Sequence, residues 1–176
     1  MEIEKTSFVQ QAYENSAEWN HVRTIAEGFF DYLSSPDIAK RLDLQNIPAA
    51  RSQEIEKVIT PYAISIGFSS QRKGLFEKYT VSKLTPDYYL PINESGIIVE
   101  VERGQTTQNN AALKDLWKVH ICEEADYLFL FVPNVLIQNN SGKITGRPFN
   151  ETVNRLSTFF EPNNYTNVRG VVIFGY

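Results

Sequence analysis

Residues 127–132 read Tyr-Leu-Phe-Leu-Phe-Val, six apolar side chains in an unbroken row. A strand with one face in water alternates polar and apolar residues. A strand with no polar position must be covered on both faces. That requirement constrains the fold more than any other feature, because it calls for helices above and below a central sheet. The flanking sequence supplies them. Ser52 can cap a helix whose Ile55, Val58, Ile59, Tyr62 and Ile66 share a face, with Pro61 as a kink or a stop. Asn109 to Ala125 reads as a second helix, apolar on nearly all sides and so buried, and Thr152 to Phe160 as a third.

Strands are expected at Leu75–Leu84, Asp87–Ile92 and Gly96–Arg103, the last two joined as a hairpin through Asn-Glu-Ser-Gly at 93–96, and a final strand at Gly170–Tyr176. The order from residue 52 is helix, three strands, helix, strand, then a further helix and strand. The expected fold class is therefore α/β, a central mixed sheet flanked by helices. Phe8, Ala12, Trp19, Val22, Ile25, Ala26, Phe29 and Phe30 recur at helical spacing, so residues 6–33 are expected to be helical. We divide the chain into an N-terminal helical extension, 1–50, and an α/β core, 51–176.

The strand at 96–103 poses a chemical problem. Glu100 and Glu102 point to one side of it and Val99 and Val101 to the other. Two carboxylates so close repel, and burying them unpaired is costly. Solvent, a basic partner or a cation must compensate them. Across a hairpin with residues 87–92, Asp87 adds a third oxygen donor. Hard oxygen ligands suit Mg²⁺, which takes one or two protein carboxylates and completes its shell with water or phosphate oxygens. The plainer alternative is a solvated edge strand whose acids pair with Arg103, Lys83 or Lys78.

Pro86-Asp87, then Glu100-Val101-Glu102 thirteen residues on, within helix–strand–strand–strand–helix–strand, resembles the PD-(D/E)XK nuclease superfamily, the restriction endonuclease-like fold. The resemblance covers roughly residues 52–133. It implies metal-dependent hydrolysis of DNA phosphodiesters, with Asp87 and Glu100 as ligands of Mg²⁺ (or Mn²⁺). Glu102 stands where the family usually has Lys, and the resemblance makes it a third ligand or the base that orients water. Some members carry the Lys on the following helix instead, where Lys114 and Lys118 are available, and we take Lys118 as the catalytic candidate. A Glu on the first core helix, as in other members, would be Glu54 or Glu56. Arg72, Lys73, Arg103 and Gln105 are the candidate substrate contacts. The family expectation for duplex cleavage is a homodimer. An inactive nuclease-fold module that binds DNA or protein is the alternative.

The distribution of charge says more than its sum. The net charge is −4, and the excess lies in residues 1–50, where eight acidic residues face Lys5, Arg23, Lys40 and Arg41. Residues 51–176 hold thirteen of each sign. This balance disfavours loose binding to DNA or membranes, leaving room for a local site whose acids are neutralised by metal. The single Cys122, the lack of a long apolar run and the acidic start suggest a cytoplasmic protein without a disulfide framework. His120 is expected as a hydrogen-bonded core residue.

Overall fold

The computed structural model describes residues 2–47, 52–71, 73–79, 84–103, 110–138 and 141–176. Its centre is a six-stranded sheet in the order β1-β8-β5-β4-β3-β2. The strands are β1 (Glu4–Val9), β2 (Ser69–Ser70), β3 (Tyr88–Ile92), β4 (Ser95–Val101), β5 (Tyr127–Val132) and β8 (Gly170–Gly175), with β6 (Leu136–Ile137) and β7 (Ile144–Gly146) as a separate small hairpin. The apolar run 127–132 is β5, wholly buried and flanked by parallel neighbours β4 and β8. Antiparallel strands lie only towards the edges, as the unequal burial of parallel and antiparallel strands leads one to expect.

Helices cover both faces. On one face α1 (Ala17–Ser34) and α3 (Ser52–Ser65) bury Trp19, Val22, Phe29, Ile55 and Ile59 against Val99, Phe129, Phe131 and Phe174. Phe29 sits edge-on to Phe129 and Phe131, and Phe131 stacks on Phe174 with centroids 4.6 Å apart. On the other, α4 (Ala111–Ile121) and α5 (Pro148–Ser157) pack Leu116, Val119 and Leu156 onto Ile98, Leu128, Leu130 and Ile173. A short α2 (Pro36–Gln45) follows α1. Among the described residues no helix is long and apolar enough to cross a membrane.

Two expectations change. Residues 4–9 form an edge strand paired with β8, and the helix begins at Ala17, where the Trp19 N–H donates to the Ser16 hydroxyl at 3.0 Å. The helical spacing of Phe8 and Ala12 is coincidental. Between them the chain turns at Gln10, whose side-chain amide donates to the carbonyls of Thr166 and Val168. The first fifty residues thus supply a sheet strand as well as helices. The strand expected from Leu75 is instead a turn over 75–79, with Leu75 and Phe76 buried as anchors, and residues 80–83 lie outside the described set. Ser69–Ser70 takes the third-strand place beside β3, so the helix–strand–strand–strand–helix–strand order stands.

Gly96 shows how tightly the hairpin is seated. It lies in β4 opposite Pro91 rather than in the turn, and a Cβ there would come 2.5 Å from both the Glu124 carbonyl and the Tyr89 ring. Neither neighbour is free to yield, because the Tyr89 hydroxyl donates to that same carbonyl at 3.0 Å. Gly96→Ala is therefore expected to cost roughly 1–3 kcal/mol in urea unfolding; an unchanged midpoint would show that the strand accommodates a methyl group.

Candidate active site

The β3–β4 hairpin brings the predicted acids together by register. Tyr88 pairs with Val99, which leaves Asp87 one step beyond the ladder, across from Glu100. The Val101 N–H donates to Asp87 Oδ2 at 2.7 Å, fixing that carboxylate against β4. Beyond the strand end, the Glu102 N–H donates to the Phe131 carbonyl, and the Tyr176 hydroxyl donates to the Glu102 carbonyl at 2.6 Å. Ile97, Val99 and Val101 face α1 and α3, so Glu100 and Glu102 face α4.

α4 answers with a charged pair. Its Ala112, Leu116 and Val119 pack on the sheet, and the same side presents Asp115 and Lys118, 1% and 8% exposed. Lys118 Nζ lies 2.8 Å from Glu100 Oε1 and 3.1 Å from Asp115 Oδ1. Glu100 itself is 4% exposed. Its Oε1 is in ionic contact with the ammonium but has no aligned hydrogen bond, so this buried oxygen is left unsatisfied in that sense. From the other face, Glu56 on α3 is near enough to push the Asp87 pKa further up.

Burial dominates the electrostatics. It raises Asp87 to about 6, with the Val101 N–H opposing. It also carries Glu100 well above the usual carboxylate range, assisted by the Asp115 charge and opposed by Lys118. Glu102 is pushed up to about 8, by burial first and then by Asp115. Asp115 thus lies close enough to Glu102 to favour the protonated form of its carboxyl. Burial works against the charge on Lys118, yet Glu100 and Asp115 outweigh it and hold the ammonium above its ordinary value. Glu100 and Asp115 lie within ion-pair distance of the Lys118 ammonium, Asp87 and Glu102 feel its charge from further off, and protonation relieves part of the repulsion among the four carboxyls.

The chemistry of the donor set suits a divalent cation. Among the described residues no three His, Cys, Asp or Glu side chains are grouped as a metal ion held by protein alone would need them. Mg²⁺ needs fewer, since one or two carboxylates suffice when water and phosphate oxygens fill the remaining positions. Asp87 and Glu100 provide that number, with Glu100 Oε1 held only by its ionic contact to Lys118.

Arg103 donates to Asn46 Oδ1 at 2.7 Å and to the Ile47 carbonyl, turning towards the end of α2. Lys73 is exposed in the turn before Leu75, and Lys114 is exposed on α4. Arg72 and Gln105 lie outside the described residues. Glu54 pairs with Lys57 at 2.7 Å. His120 is half-buried, with its Nδ1 accepting from the Asn167 N–H at 3.1 Å. Asp115 was missed by sequence reasoning. Its signal was its place three residues before Lys118 as the one acid of the helix, a spacing at which helical side chains meet.

The raised carboxyl pKa values carry a stability prediction. The folded protein keeps protons that the unfolded chain has already lost, so these groups favour folding at low pH. That contribution disappears as pH rises through about 6 for Asp87 and about 8 for Glu102. In EDTA, Tm is expected to fall by several degrees from about pH 5 to about pH 8. Glu102→Gln should flatten the upper part of the fall. A Tm that holds steady or climbs across this window would contradict the upward shifts of these carboxyls.

No family model matches the sequence, and no curated protein matches it. Among solved structures the chain is similar to the crystal structure of the restriction endonuclease BglII complexed with a DNA 16-mer, with a TM-score of 0.50 and 11% identity, covering 99% of this chain and 78% of that one. At that identity the likeness is one of architecture: this chain has a restriction endonuclease-like fold.

Proposed function

We propose that the protein is a metal-dependent endonuclease that hydrolyses DNA phosphodiester bonds. The observation that carries this reading is the buried acidic centre at the end of β3 and β4, on a fold similar to that of a DNA-cutting enzyme. The similar structure is a complex with DNA, which supports DNA as the substrate class.

Asp87 and Glu100 would hold a divalent cation, Mg²⁺ or Mn²⁺. When bound, the cation would supply charge to polarise the phosphoryl oxygen and acidify water. The chain's own groups do the rest. Val101 N–H fixes the Asp87 carboxylate. Glu102, the third carboxyl of the motif, can accept a proton from water once it is itself deprotonated, or serve as a further ligand. Lys118 presents three N–H donors at the carboxylates, where an attacking water or a phosphate oxygen would be oriented. Arg72, Lys73, Arg103 and Gln105 are proposed to meet the nucleic acid outside this centre. Cutting both strands of a duplex from single-site subunits calls for two copies, so we propose that a homodimer is the active form.

One observation favours a second reading. Lys118 already neutralises Glu100 in part, as it would in a nuclease-fold module that binds DNA without cutting it. Incubation of supercoiled and linear DNA with Mg²⁺ or Mn²⁺ separates the two. The nuclease reading predicts cation-dependent cleavage, reduced about 100-fold or more in Asp87→Ala and Glu100→Ala. DNA retention without cleavage, unchanged by EDTA, would favour the binding module.

A further inference from the structure

α4 buries two opposite charges three residues apart, and they are not equivalent as partners. Lys118 Nζ is within ion-pair distance of two carboxylates, Glu100 Oε1 at 2.8 Å and Asp115 Oδ1 at 3.1 Å. Glu100 belongs to the sheet and to the cation site argued above, whereas Asp115 belongs to the same helix as Lys118 and moves with it. All three are more than nine-tenths buried.

We infer that Asp115 is a positioning residue for Lys118: it retains the ammonium within the centre when a divalent cation takes over Glu100. The inference rests on the metal-dependent reading of the site. An ammonium this deep cannot be left without a carboxylate, because the cost of an unpaired buried charge is several kcal/mol. Were Glu100 its sole partner, the ammonium and the cation would compete for one carboxylate. Asp115 removes that competition. Its place one helical turn back lets a small change of side-chain torsion carry Nζ off Glu100 while keeping its other ion pair. Lys118 then stays beside the reacting groups as a donor instead of being expelled to solvent.

Mn²⁺ titration of the full chain by isothermal calorimetry tests this without reference to cleavage. Asp115→Asn is expected to weaken Mn²⁺ binding about tenfold or more, because Lys118 then falls back on Glu100. In a Lys118→Met background the ammonium is absent, so adding Asp115→Asn should change affinity by no more than about threefold. That second comparison stands even if Asp115→Asn alone does not fold. An equal loss in both backgrounds would overturn the inference and make Asp115 a simple contributor of negative charge to the cation. Wild-type binding left intact in Asp115→Asn would overturn it as well. No heat from wild type would sink the metal reading itself, and this inference with it.

Discussion

The structure turns on the burial of Glu100. A carboxylate cannot be taken out of water alone, and this one sits in a strand wedged between β3 and β5 with helices on both faces. Its compensation comes from Lys118 on α4, so the position of that helix and the ionisation of the strand are one problem. Further acids then accumulate around the pair: Asp87 by hairpin register, Glu102 by alternation along the strand, and Asp115 by helical spacing from Lys118. One ammonium does not balance them. The fold therefore gathers more carboxyls than one ammonium can balance, and they keep protons unless a further cation takes their place.

The scaffold that makes this possible is rigid where it must be. β4, β5 and β8 run parallel through the core, and their side chains interlock with Phe29 and Trp19 of α1 on one face and with α4 and α5 on the other. Asp87 is held by the Val101 N–H, and the carbonyl of Glu102 by the Tyr176 hydroxyl. The acids are thus displayed at the end of a sheet whose own hydrogen bonds define their spacing. Such preorganisation is what metal-assisted hydrolysis requires, because groups already in place need no reorganisation as charge develops.

Much of this was legible in the sequence, for identifiable reasons. The unbroken apolar run at 127–132 demanded cover on both faces, and the alternation at 97–102 put Glu100 and Glu102 on one side of their strand. Hairpin chemistry at 93–96 then set Asp87 across from them. The edges were harder to read. β1 is half-exposed, so its pattern is shared by a short amphipathic helix, and Leu75 and Phe76 anchor a turn although they look like strand residues. Asp115 was hidden by its surroundings: one acid in an apolar helix is read as the solvated side, whereas here it points inward because Lys118 and Glu102 are there to meet it. Its meaning depends on contacts between α4 and β4 that no local window contains.

Whether the cluster of carboxyls takes up a cation decides how the site is to be understood. The most direct test is a crystal soaked with Mn²⁺ at neutral pH, with anomalous scattering used to locate the ion. An anomalous peak is expected between the carboxylates of Asp87 and Glu100, with Lys118 Nζ withdrawn from Glu100 and still paired with Asp115. A centre that stays free of anomalous density at saturating Mn²⁺, with Lys118 unmoved on Glu100, would contradict that expectation and leave the cluster as a buried structural ion network.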